Sequence, residues 1–410
     1  MPRRPQPEST AGPTDLVFGA ILKEAAPIAA MPLALDAELA ASALLGGVYA
    51  AADDSHGPDA VRQFAADFGG YLAKRRTSEA QGVRAALAAV VPDQVKAPKT
   101  GPAWLDSAGA ATCTGTWAVR DNYGDQTQYI ATYEYPDPER GGPDHAVSYL
   151  LDHNLGCCKD ITVGVPAAQV VGAWQTECAE DPELTIETVD AGRLRADTTA
   201  YLGRTDELTE PYSDTYHEDR GFALARLAVL PEGEPTPRPR RLDDAERDVV
   251  VAAFLDAPEA TLVGVSSPGQ EPPAIEVIAW GARAAVDFGC DDNTGDPLRW
   301  SPTAVELFLL DWTPRQIAPG HRAAPWLPEI LDAFITYAGR VRDEAVPAIA
   351  ATRHAITEFV VPYTDLMAGE ALGEPVTDML SRMVADGVDP MDEEAVLEWV
   401  LADRARRGQD

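Results

Sequence analysis

The chain has 410 residues, with 33 Lys and Arg against 66 Asp and Glu, a formal net charge of −33 and a pI near 4.4. A field of that sign repels phosphate backbones and anionic lipid heads, so nucleic acid and membrane surfaces are disfavoured as partners. Hydrophobic residues make up 45%, enough to bury a real core, which excludes wholesale disorder.

Lys23, Lys74, Lys96, Lys99 and Lys159 are the only lysines; the other basic residues are arginine. With 34 prolines, this bias matches a GC-rich bacterial genome. Cys113, Cys157, Cys158, Cys178 and Cys290 are too sparse for a disulfide scaffold, and their number is odd. Adjacent Cys157 and Cys158 would point to opposite faces of an extended chain. Reduced thiols and a cytoplasmic location follow as the expectation. No apolar run reaches the 18 or so residues of a membrane span.

Residues 1–14 read as a disordered leader, and 15–97 as a helical region. Val61, Phe64, Ala65, Phe68 and Leu72 recur at helical spacing, with Asp59 as the expected cap. Residues 80–91 repeat the pattern in alanine-rich form. Lys74, Arg75 and Arg76 between them read as a positive helix C-terminus. Residues 92–102 read as a linker.

From residue 100 to 230 the period changes, and the expectation is an α+β domain. Residues 113–120, 126–135 and 146–151 are rich in Thr, Tyr, Val, Ile and Trp, with turn residues between them, and predict an antiparallel meander. Residues 159–165 continue it. Pro166 is placed at the first turn of a helix over 167–179. A further strand over 184–189 and helices over 191–204 and 215–230 follow. Residues 231–241 form a Pro- and Arg-rich linker, extended or disordered. From 242 to 410 a second helical region is expected. It includes helices over 242–254 and 274–287, and one from the Ser301 cap and Pro302 through Leu310. A strong apolar stripe (Ile330, Leu331, Phe334, Tyr337, Ala338, Val341) marks another, and the last opens at Asp389-Pro390 and runs past Trp399. The fold class is therefore α+β, predominantly helical, with a central antiparallel meander flanked by N-terminal and C-terminal helical regions.

Several chemistries lack their residues. There is no Gly-Lys pair for a P-loop, no G-x-G-x-x-G, no H-E-x-x-H and no C-x-x-C. The Gly264–Gly269 run has the wrong glycine spacing for a nucleophile elbow.

Two segments concentrate titratable groups. The first is Asp152-His153-Asn154-Leu155-Gly156-Cys157-Cys158-Lys159-Asp160, at the end of an apolar strand. His153 beside Asp152 or Asp160 would suit proton transfer, and Lys159 would meet an anion, so Asp152, His153, Lys159 and Asp160 are the candidate catalytic residues. The bland reading is a hairpin corner capped by Asp and Asn, with cysteines packed as small hydrophobes. A zinc site is not expected, because the cysteine spacing fits no zinc pattern and His145 lies some 26 Å of strand from His153. In the second segment, Asp287, Asp291, Asp292 and Asp296 are the candidate ligands for a hard cation, Mg²⁺ or Ca²⁺. No other cofactor is expected. The EF-hand template fails, since Pro302 stands where its last glutamate belongs, and the bland reading is a Gly/Asp loop between helices.

Three stretches together resemble an actinobacterial family of hypothetical proteins: Glu38–Gly47, Asp144–Asp160 with its D-H-N-L-G core, and Asp287-Phe-Gly-Cys-Asp through Leu309-Leu-Asp-Trp312. The similarity spans most of the chain. The family usually has Gly-Gly-Ile-Ala before the Lys-Asp pair, where this chain has Gly156-Cys157-Cys158. The resemblance implies a shared architecture and a cytoplasmic actinobacterial origin, and no catalytic role.

The absent motifs and the extended linker point first to a non-catalytic regulatory or scaffold protein that binds other proteins or itself. Two alternatives stay open. One is a cation-dependent, hydrolase-like enzyme using the Asp152–His153 and Asp287–Asp296 segments. The other is a nucleic-acid-binding regulator working through Lys74–Arg76 or Arg238–Arg241.

Overall fold

The computed structural model describes residues 13–52, 57–208, 213, 215–237, 239–265, 271–318, 321–368 and 399. The leader over 1–12 and, apart from Trp399, the helix expected after Asp389 lie outside the described residues. Two compact units, Met1–Arg238 and Pro239–Asp410, divide the chain inside the Pro/Arg-rich segment.

In the first unit, α1 (Pro13–Ala25), α2 (Ala34–Ala50), α3 (Gly57–Ala73) and α4 (Ser78–Val90) precede the sheet. Helix α1 takes in Pro13 and Thr14, which the sequence reading gave to the leader. The expected stripe forms the inner face of α3, with Val61, Ala65, Phe68 and Leu72 buried. Asp59 lies in the first turn of α3 and is not its cap, because the helix already begins at Gly57. Thr77 caps α4, accepting a hydrogen bond from Ala80 N at 3.3 Å.

The sheet is antiparallel throughout: β1 (Thr112–Asp121), β2 (Gln126–Glu134), β3 (His145–Asp152), β4 (Cys157–Gly164) and β5 (Leu184–Thr188), in the order β4-β3-β2-β1-β5. A one-turn α5 (Pro138–Gly141) interrupts the loop between β2 and β3. Then come α6 (Ala167–Glu180), α7 (Ala191–Thr205) and α8 (Tyr216–Val229). Strand alternation sorts the side chains into two faces. Tyr129, Ala131, Tyr133, Val147, Tyr149 and Leu151 join the core of the N-terminal helices and α8. Val119, Ile130 and Ala146 face Ala167 and Val171 of α6. Tyr133 and Tyr149 donate to the carbonyls of Arg226 and Ala223, pinning α8 to the sheet. The helical region and the α+β region, which the sequence pattern separates, thus share one core.

Three details differ from the sequence reading. Strand β4 starts two residues earlier, with a register irregularity opposite Leu150 and Leu151, so both adjacent cysteines belong to the strand. Pro166 is the N-cap of α6, not its first residue. The 231–237 stretch is irregular, as an extended linker should be, yet it is tied down. Thr236 donates from N and Oγ1 to the Asp197 carboxylate at 2.6 and 2.7 Å, and Tyr129 OH donates to the same group at 2.7 Å.

The second unit is helical: α9 (Asp244–Leu255), α10 (Ile275–Asp287), α11 (Pro302–Glu306), α12 (Thr313–Gln316), α13 (Leu327–Val341) and α14 (Val346–Met367). Asp243 and Glu246 form a capping box at α9. Ser301 caps α11 from the expected position, accepting from Ala304 N at 2.9 Å. The helix expected to run on through Leu310 instead widens into a π-helical turn, Leu307–Trp312. A second such turn, Phe288–Asp292, ends α10. Their aromatic rings pack together, Phe288 lying 5.3 Å from Phe308 and Phe308 stacking on Trp312. Helix α14, with Pro362 inside it, has no counterpart in the sequence reading.

The chain is therefore α+β and predominantly helical, and the five-stranded antiparallel sheet belongs to the first unit. Among the described residues, no helix is long and apolar enough to cross a membrane.

Candidate functional site

The first candidate segment is the β3–β4 turn. Gly156 takes a φ of +71°, a region that favours glycine, and lets the chain reverse. Asp152 closes the turn: its Oδ1 accepts from Leu155 N at 2.9 Å. Its Oδ2 lies 3.3 Å from Lys159 Nζ and 3.5 Å from Gln126 Nε2. Asp152 and Lys159 are thus brought together, as an ion pair. The His153 ring is held at both nitrogens, Nε2 by Thr127 Oγ1 at 2.8 Å and Nδ1 by Tyr201 OH at 2.6 Å. Asn154 donates to Asp125 Oδ1 at 2.8 Å.

Asp160 lies further along β4. Its Oδ1 is buried without a hydrogen-bond partner, and it adds negative charge near Asp219 of α8. Burial, with Glu218 and Asp160 nearby, raises the Asp219 carboxyl to about 6. Burial also pushes the thiols of Cys157 and Cys158 up, to about 11 and about 12. Both stay protonated at neutral pH and pack as small apolar groups, as the bland reading of this corner had it.

The second segment is the π-helical end of α10. Arg247, almost fully buried, grips Asp291 with two nitrogens at 2.6 and 2.7 Å and Asp287 at 2.9 Å. Its Nε donates to Leu242 O at 3.1 Å. Arg283 donates to Asp287 at 2.8 Å and reaches Asp244 and Asp248 as well. The Arg247 hydrogen bonds hold the Asp291 carboxyl below the usual range, and Arg241 assists. Asp292 accepts from Trp312 Nε1 at 2.8 Å, and Asp296 pairs with Arg342. Each of the four carboxylates proposed for a cation thus meets a side chain of its own unit. Among the described residues, no group of three or more His, Cys, Asp or Glu is arranged to hold a metal ion.

Of the arginines read as a basic patch, Arg240 pairs with Glu246 and Arg241 with Asp291, while Arg238 lies outside the described residues. Arg75 donates to Tyr71 O and lies over the Tyr71 ring.

The most demanding polar cluster was not legible in the sequence. Glu38 of α2 and Arg226 of α8 are each 1% exposed and joined at 2.6 Å. Tyr135 OH accepts from Arg226 at 2.6 Å and donates to Glu38 at 3.1 Å. Gly109 N supplies Glu38 Oε1 at 2.8 Å, and His145 Nε2 accepts from Arg226 Nε at 2.9 Å. The partners come from segments far apart in the chain, so no local spacing signals them. The one hint is a glutamate in the mostly apolar helix α2, which carries no further charge after it.

At the opposite edge of the sheet, an open groove of about 300 Å³ is lined by Arg120, Glu187, Val189, Asp190, Arg193 and Glu234. Compared with protein-family models, curated proteins and solved structures, the chain matches none.

Proposed function

We propose that this chain is a non-catalytic regulatory or scaffold protein that acts in the cytoplasm by binding other proteins. The observation that carries the reading is the state of the residues best suited to chemistry. Asp152 is paired with Lys159, and His153 is held at both ring nitrogens. Asp287 and Asp291 are clamped by Arg247. Groups committed in this way stabilise and orient elements, whereas a general base or cation ligand needs a lone pair directed at substrate or metal. The five free thiols support a reducing compartment.

The test is a native mass spectrum of protein purified gently without chelator, together with cross-linking in cells. The expected result is a chain carrying no added mass and a cross-linked partner that re-forms a complex of fixed stoichiometry from purified components. A bound ion or small molecule, lost on Asp287→Asn or His153→Gln, would overturn the reading in favour of an enzyme.

A further inference from the structure

The two edges of the sheet are finished differently. On β4, Thr205 of α7 acts as a substitute neighbour: its hydroxyl accepts from Cys158 N at 2.9 Å and lies 3.0 Å from Cys158 O. On β5, Asn122 N donates to Glu183 O and Val189 N donates to Thr116 O. In an antiparallel ladder those two bonds fix the alternation, so the backbone groups of Ile186 and Thr188 face away from β1. No described residue supplies them with a partner, and β5 is largely exposed.

The chain segment that forms this edge carries one sign of charge. Glu180, Asp181, Glu183, Glu187 and Asp190 flank or lie on β5, with no basic residue between 180 and 190. Of the two arginines lining the groove at its end, Arg120 is already paired with Glu187. A second copy of the chain would bring the same carboxylates against themselves, which is unfavourable. An extended segment with lysine or arginine at alternate positions would gain both the backbone ladder and opposite charge.

We propose that the outer edge of β5 docks a basic, extended segment of a partner protein by strand addition. This deepens the protein-binding reading above and rests on it.

The test uses the full chain and a short fluorescein-labelled peptide alternating lysine with threonine. Thr188→Pro removes one outward N–H and spares the bonds to β1, a position where an edge strand accepts proline. The expected result is salt-sensitive binding that Thr188→Pro weakens by about tenfold, with unfolding temperature unchanged. Glu180→Lys with Glu183→Lys weakens it further, and a glutamate-for-lysine peptide does not bind. Hydrogen exchange gives a readout on the unaltered chain: the Ile186 and Thr188 amides slow when the peptide is added.

Binding that ignores Thr188→Pro, or amides that do not slow, would overturn the proposal and mark the attraction as diffuse charge. A dimer of the chain abolished by Thr188→Pro would overturn it in favour of self-pairing. A reconstituted partner whose binding ignores Thr188→Pro would remove this surface and leave the protein-binding reading standing.

Discussion

Arg226 Nε donates to His145 Nε2 at 2.9 Å, and this contact assigns the imidazole its protonation state. With Nε2 accepting, the ring is neutral and its Nδ1 faces Pro143 O at 3.3 Å. A second positive charge there would sit against a buried guanidinium. Burial first, and Arg226 second, push the His145 pKa from 6.5 down to about 4.

Stability should therefore fall on mild acidification. Between about pH 6.5 and 4 the unfolded chain binds a proton at His145 that the folded chain refuses, so unfolding is favoured as pH drops through that window. The loss amounts to at most about 3 kcal/mol. Denaturant titrations at pH 7 and pH 4.5 measure it; a flat profile would count against the neutral, buried ring.

Asp219 works in the opposite direction. Its carboxyl is raised to about 6, so the folded chain holds a proton there that the unfolded chain has released, and its contribution to stability fades as pH rises from about 4 to 6. Asp219→Asn should stabilise the protein at neutral pH by about 1 kcal/mol, discounting for solvent at this half-buried site. The gain should vanish near pH 4, and the wild-type acid sensitivity should steepen in the variant. Unfolding midpoints of the two proteins across that range decide the point.

Removing one member of the buried pair strands the other. Glu38→Gln should cost about 3–5 kcal/mol, because Arg226 keeps its charge out of water without a counter-charge. Replacing both, as Glu38→Leu with Arg226→Met, should recover much of that loss. Urea midpoints for the single and double variants measure the difference, and equal losses would contradict it.

The contact between α2 and α8 depends on a missing side chain. A Cβ on Gly46 would lie 2.4 Å from His217 O, whereas one on neighbouring Gly47 would meet nothing within 4 Å. Ser42, one turn earlier, donates to Glu218 O and accepts from Phe222 N, so the helices have little freedom to separate. Gly46→Ala should destabilise by about 1–3 kcal/mol. Gly47→Ala should stabilise by up to about 1 kcal/mol. The opposite signs make thermal unfolding of the pair a sharp comparison.

In the second unit, Trp312→Phe keeps the ring stack and deletes the indole N–H that Asp292 accepts. The expected cost is about 1 kcal/mol or less, because Asp292 is exposed and water can replace the lost donor. Trp312→Phe in an Asp292→Leu background should cost clearly less, and a double-mutant cycle isolates that coupling.

Much of the architecture was legible because it rests on local periodicity. The α3 stripe, the meander, the Ser301 cap and the change of composition at 231–241 all follow from short-range patterns. What escaped is non-local or non-standard. Proline-bearing α14 reads as broken, and the π-helical turns violate the 3.6-residue period on which helix reading depends. The tie between Thr236 and Asp197 joins a linker to a helix 39 residues away. At the candidate sites, the sequence showed which residues crowd together but not which partners they face. Asp287 and Asp291 looked like free ligands because Arg247 lies 40 residues upstream of Asp287.

The paired π-helical turns have a consequence for how this chain can vary in length. Such a turn holds one more residue than an α-helical turn, so deleting a single residue from it restores ordinary pitch. The wide turn had absorbed that residue, so side chains beyond it keep their face, whereas the same deletion in a regular α-helical stretch would swing them by about 100°. Asp292 and Trp312 meet from two such turns. Single-residue deletions should therefore be better tolerated in these turns than in the regular helices beside them, with repacking confined to the cluster around Phe288, Phe308 and Trp312.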